Sequence, residues 1–215
     1  MLHGPAGRLE ALLNAGEPMA THAALVCHPH PMFGGTMHNK VVYNAMKSLS
    51  RFGFPVLRFN FRGAGLSEGE HDEGRGEVGD VRAALDYLHQ EYELPVIFAG
   101  FSFGAATGLR AACNDERVVG LISLGTPVAV EGRTYAYDFL RDCHKPKLFV
   151  SGGNDQYSPQ PELRAAFSTA PEPKRLVIVE GADHFFEGKL PLMQQAIEDW
   201  VRAYFKPPEG ETEQT

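Results

Sequence analysis

The residues able to do chemistry begin with Gly100-Phe101-Ser102-Phe103-Gly104, a serine flanked by glycines two positions away on either side. An apolar run over 96–99 leads directly into it, and a segment rich in helix formers over 105–113 follows. A strand that turns sharply into a helix at such a pentapeptide holds the serine in a strained backbone conformation and presents its hydroxyl at the carboxyl edge of a sheet. The glycines let neighbouring backbone come close without a Cβ in the way. Helix amides just past Ser102 would point at an anion formed there, which makes the N–H of Phe103 a natural oxyanion donor.

A serine hydroxyl is a weak nucleophile at neutral pH, so this chemistry needs a base in hydrogen-bond reach and a carboxylate to orient it. His184, in Gly181-Ala182-Asp183-His184-Phe185-Phe186, lies between the last apolar run and the last helical stripe. Asp155, in Gly152-Gly153-Asn154-Asp155, follows the preceding apolar run. Both loops reach the same carboxyl edge as Ser102, where ligands bind open α/β sheets. The chain order serine, aspartate, histidine differs from the trypsin-like and subtilisin-like orders. Asp183 is a rival acid, but adjacent loop residues direct their side chains apart, which favours Asp155. The plain alternative for Asp155 is a turn residue that caps the following helix.

A third cluster is His28-Pro29-His30-Pro31-Met32-Phe33-Gly34-Gly35-Thr36-Met37-His38. His28, His30 and His38 offer three imidazoles, yet their spacing matches no known zinc pattern and acidic candidates are distant, so no metal is expected. The other reading is a second oxyanion N–H from this loop. Pro29 and Pro31 have none to give, which leaves His30, Met32 or Phe33. Met32 and Phe33, with Phe103, Tyr157 and Phe185, are the candidate apolar walls for a substrate. Arg62-Gly63-Ala64-Gly65-Leu66-Ser67 lacks both the third glycine of a dinucleotide fingerprint and the Lys-Ser/Thr pair of a phosphate loop, so it reads as a structural turn. No cofactor is expected.

These loops need a frame. Apolar runs over 23–27, 56–61, 96–99, 118–124, 147–151 and 175–179 alternate with helical stripes, the pattern of βαβ units on a parallel sheet. Val41, Val42, Ala45, Met46 and Leu49 make one stripe; Val78, Val81, Leu85, Leu88 and Tyr92 make a second. Leu192, Met193, Ala196, Ile197, Trp200, Val201 and Tyr204 make the last, ended by Lys206, Pro207 and Pro208. The segment 8–13 reads as an extra edge strand. A single α/β domain over 1–206 is expected, with 207–215 an acidic flexible tail.

The chain has 215 residues, of which 43% are hydrophobic, and it carries 20 basic against 27 acidic side chains for a net charge of -7. That balance disfavours nucleic acid as a partner, because such binding leans on a basic surface. No run approaches the roughly 20 apolar residues of a membrane span, and residues 1–20 lack a secretory pattern, so no membrane partner and a cytoplasmic location are expected. Cys27, Cys113 and Cys143 are too few and too scattered for a disulfide framework and read as reduced thiols.

Together, His28-Pro-His-Pro with Gly34-Gly35-Thr36, Arg62-Gly-Ala-Gly-Leu-Ser67, Gly100-Phe-Ser-Phe-Gly104, Gly152-Gly-Asn-Asp155 and Asp183-His184-Phe185 resemble the α/β-hydrolase superfamily over about residues 8–206. Within it, the combination looks like the small, lidless bacterial serine hydrolases often described as predicted esterases. The resemblance implies an α/β-hydrolase fold, a mostly parallel central sheet with helices on both faces and no lid domain. It implies Ser102 as nucleophile, His184 as base, Asp155 as orienting acid, and Phe103 with Met32 or His30 as oxyanion donors. One departure is His-Pro, twice, where most of the superfamily has His-Gly after the first strand. The expected reaction is cleavage of a small-molecule acyl ester through an acyl-enzyme. Thioesterase, peptidase and acyltransferase chemistry share the same machinery, and a non-catalytic binding protein on a hydrolase fold is the rival from another class. A monomer or homodimer is expected. Only residues 125–146 separate the runs over 118–124 and 147–151, where this fold usually inserts its cap. That length holds a short helix around 135–141 and predicts a shallow, open site.

Overall fold

The computed structural model describes residues 1–133 and 135–205; the expected tail over 207–215 lies outside them. Seven strands form one sheet in the order β3-β5-β4-β6-β7-β8-β9. They are β3 (Ala11–Asn14), β4 (Ala23–Cys27), β5 (Val56–Phe59), β6 (Val96–Phe101), β7 (Val118–Leu124), β8 (Lys147–Gly152) and β9 (Lys174–Val179). β3 is antiparallel to β5 and every other pairing is parallel. A separate hairpin of β1 (Leu2–Gly4) and β2 (Gly7–Leu9) precedes them. The single edge strand expected over 8–13 is thus two strands in two sheets. Glu10 makes the break: its N–H bonds the Ser67 hydroxyl at 2.9 Å, and its carboxylate accepts from the Asn60 amide and the Leu66 N–H.

Helices α1 (Lys40–Ser50) and α5 (Leu190–Tyr204) cover one face of the sheet, and α2 (Glu77–Tyr92), α3 (Phe103–Ala112) and α4 (Gln160–Ser168) the other. The continuous apolar runs follow from this burial on two faces. Along β6, Val96 and Phe98 join the core under α2 and α3, while Ile97, Ala99 and Phe101 join the core under α1 and α5. α4 was not singled out by its pattern, and only Leu163 of it is buried.

The strand order reverses direction around β4, which lies between β5 and β6. Crevices at such switch points are where open α/β sheets bind ligands. The β4 loop and the β6–α3 turn meet there. Between β7 and β8 the described residues form a 3-10 turn at Asp138–Asp142 and no additional domain. Among the described residues, no helix is long and apolar enough to cross a membrane.

Candidate active site

Ser102 sits between β6 and α3 with φ 54° and ψ −119°. A non-glycine residue there carries strain of about 1–3 kcal/mol, held in place by its surroundings. The flanking glycines show what over-determines the turn. A Cβ on Gly100 would meet the Gly104 carbonyl oxygen at 2.5 Å, and one on Gly104 would meet the His28 carbonyl oxygen at 2.3 Å. The Ser102 N–H donates to the Leu124 carbonyl at 2.9 Å, tying the elbow to β7.

His184 and Asp155 arrive from the β9–α5 and β8–α4 loops. The Ser102 hydroxyl lies 3.0 Å from His184 Nε2, and His184 Nδ1 lies 2.8 Å from Asp155 Oδ2. The aspartate's other oxygen accepts from the Tyr157 N–H at 2.9 Å, so Asp155 fills the turn role and faces the imidazole as well. Phe101, Tyr157 and Phe185 pack around the His184 ring with centroids 4.9, 4.9 and 5.3 Å away. Both His184 and Asp155 are buried, while Ser102 stays partly open to solvent. Asp183 points elsewhere: its carboxylate accepts from the backbone N–H groups of Phe185 and Glu187 at 3.1 and 2.8 Å, closing its own turn.

Two helix-start amides of α3, those of Ala105 and Ala106, bond the Ser102 carbonyl. The Phe103 N–H, at the first helical position, has no acceptor among the described residues. Helix starts leave such donors free. Of the three loop amides, Phe33 N–H donates to the His30 carbonyl at 3.1 Å and Met32 N–H to His30 Nδ1 at 3.2 Å. Met32 is therefore corrected as a donor, because the loop's 3-10 turn already engages its amide. It is also absent from the cavity wall and largely exposed. The His30 N–H is the one without an acceptor among the described residues.

His28 and His30 act within the loop. The buried His28 ring lies 2.6 Å from the Pro29 carbonyl through Nδ1 and accepts the Phe61 N–H at 2.9 Å through Nε2. Burial lowers its pKa to about 4, against the pull of the Pro29 carbonyl. His30 is likewise lowered to about 4, by burial first and then by the charge of Arg133. Among the described residues no three His, Cys, Asp or Glu side chains gather as a metal ion would need. Arg62 bonds both oxygens of Asp80 and the Gly76 carbonyl, which anchors the Arg62–Ser67 turn to α2.

The cavity over Ser102 has a volume of about 240 Å³ and includes His30, Phe33, Phe103, Tyr157, His184 and Phe185 in its wall. Pro127, Val130, Glu131, Arg133 and Tyr135 also line it, and the sequence reading missed them. They sit in the β7–β8 crossover, where no periodicity or motif marks them. A hydroxyl in reach of an imidazole, and two backbone amides without an acceptor among the described residues, are the groups this chemistry uses.

A family model for the alpha/beta hydrolase domain matches residues 23–199. A protein of Rickettsia prowazekii is 35% identical over 206 residues, covering 93% of this chain and 86% of that protein. An alpha-beta serine hydrolase homologue from Coxiella burnetii superposes with a TM-score of 0.84 at 36% identity, covering 92% of this chain and 94% of that one. A serine hydrolase without a lid from Xanthomonas campestris superposes with a TM-score of 0.85 at 33% identity, covering 96% and 94%.

Proposed function

The chain belongs to the alpha/beta hydrolase domain family, and from that premise we propose that it is a serine hydrolase that cleaves small carboxylic esters through an acyl-enzyme. The observation that carries this reading is the unbroken line from Asp155 through His184 to a strained Ser102. In the first half, Ser102 Oγ attacks the ester carbonyl while His184 Nε2 takes its proton. Asp155 keeps the other ring nitrogen protonated and stabilises the imidazolium. The Phe103 and His30 amides receive the negative charge on the carbonyl oxygen. Collapse expels the alcohol, which leaves with the proton from His184. In the second half, water gives its proton to His184 and attacks the acyl-enzyme, and Ser102 regains its proton as the acid departs.

Phe33, Tyr157 and Phe185 supply the apolar contacts for the acyl group in a site with no cap domain over it. Ser102, Asp155 and His184 come from one chain, so a monomer suffices for turnover and a homodimer would not add to it. The test is p-nitrophenyl acetate turnover together with labelling by a fluorophosphonate. Wild type is expected to do both and Ser102→Ala neither, with the variant still folded. A wild-type protein that neither turns over nor labels at Ser102 would sink the reading in favour of a binding protein on this fold.

A further inference from the structure

Beside the cavity over Ser102 lies a second one of about 270 Å³, and the two share His30, Phe103, Arg133 and Tyr135 as walls. One face of α3 forms its side: Phe103, Ala106, Thr107 and Arg110, spaced i, i+3, i+4 and i+7. The face starts at the residue after the nucleophile and reaches Arg110 about 10 Å of helix rise further on. Gly74 keeps the opposite side open, since a Cβ there would stand 3.2 Å from the Thr107 hydroxyl and 3.4 Å from the Phe103 ring.

The chemistry of this wall is uneven. Arg110 and Arg133 both reach it, and neither is paired with a carboxylate among the described residues. Arg133 instead lies over the Phe33 ring, 5.3 Å from its centroid. Glu73, the one carboxylate on the wall, is 3.6 Å from Arg75. Thr107 is 4% exposed, and its hydroxyl has no hydrogen-bond partner among the described residues. Two guanidiniums without a carboxylate partner and an unpartnered hydroxyl, in a cavity that shares four wall residues with the one over Ser102, carry the chemistry to hold an oxyanion.

We propose that this second cavity is a specificity subsite: it binds a terminal oxyanion, carboxylate or phosphate, at the far end of an acyl chain whose carbonyl lies at Ser102. The proposal rests on the hydrolase reading above and names its substrate class, acyl esters that carry a distal negative charge. Arg110 and Arg133 hold the anion, Thr107 donates to it, and the acyl chain runs past the wall that the two cavities share at Phe103.

The experiment compares p-nitrophenyl hydrogen suberate with p-nitrophenyl octanoate, which has the same acyl length and no charge. Wild type is expected to favour the suberate ester in kcat/KM by about tenfold, from charge-assisted hydrogen bonds partly screened by solvent. Arg110→Gln is expected to remove most of that preference through KM, with octanoate changed by less than about twofold. Free suberate and octyl phosphate, tested as competitors, separate the two sources: stronger inhibition by one assigns its oxyanion. Absence of any charge preference in wild type, or equal loss for both esters in Arg110→Gln, overturns the subsite while leaving the hydrolase reading intact. If wild type turns over no ester, that reading fails, and calorimetry decides the subsite alone. Suberate binding to wild type that is lost in Arg110→Gln keeps it, and no binding to wild type ends it.

Discussion

His28, after β4, and His184, after β9, stand at the same edge of the sheet, both buried and both engaged through both ring nitrogens. Their partners differ. His28 lies between a carbonyl that only accepts and a backbone N–H that only donates, so one neutral tautomer satisfies it and protonating Nε2 would break the bond from Phe61. His184 lies between a carboxylate that would stabilise its cation and a hydroxyl that can surrender a proton. Burial alone therefore does not make a histidine a base. What its neighbours can exchange with it does: the same side chain is a brace in one loop and, in the proposed mechanism, a proton carrier in the other.

The largest expected effect separates the two histidines by activity. Ser102→Ala should lower kcat for p-nitrophenyl acetate by roughly 10⁴- to 10⁶-fold with little change in melting temperature, and His184→Ala should lower kcat by a similar factor. A residual rate close to wild type in either variant would break the contrast from the His184 side. Next comes the acid. Asp155→Asn should cost up to about 10⁴-fold in kcat because the amide favours the wrong tautomer, whereas Asp183→Asn should stay within about tenfold. The reverse ranking would transfer the orienting role to Asp183.

A third expectation uses pH on the brace. His28 has its folded pKa at about 4 against an ordinary value of 6.5, so the unfolded chain binds the extra proton between those values. Stability from this group is present above pH 6.5 and is lost as pH falls toward 4, by up to about 3 kcal/mol. Denaturant melts across that window should show the loss in wild type and a flatter profile in His28→Asn. His28→Asn should also cost about 1–3 kcal/mol at neutral pH by leaving the Phe61 N–H unpaired. An unchanged pH profile in the variant would remove His28 from the account. The smallest effect tests the strain at the nucleophile: Ser102→Gly should abolish turnover yet raise stability by about 1 kcal/mol, since glycine tolerates φ 54°. A loss of stability would mean that the elbow is relaxed.

Much of this site was legible along the chain. The Gly100–Gly104 pentapeptide, the Asp155 turn and the His184 loop each announce themselves within a few residues, and each follows an apolar run that the sheet buries on two faces. Strand boundaries over 23–27 and 118–124 are those observed, because β-branched and apolar residues end abruptly there at polar turns. Other features carried no such mark. Glu10 divides an apparent strand by bonding to Ser67, Asn60 and Leu66, residues fifty or more positions away. α4 buries one side chain and so shows no stripe.

By itself, the sequence determined the candidate nucleophile, the candidate acid and base that follow it in chain order, and the alternating elements that bring them to one edge. Those are matters of turn chemistry and hydrophobic periodicity, which act between near neighbours. The tertiary structure alone decided which loop amide is left without an acceptor among the described residues, which of the two candidate aspartates faces His184, and that the β7–β8 crossover walls the cavity beside Arg110. Each of these depends on which hydrogen-bond partner or packed surface wins among groups distant along the chain, and that competition is settled only when the loops are brought together in space.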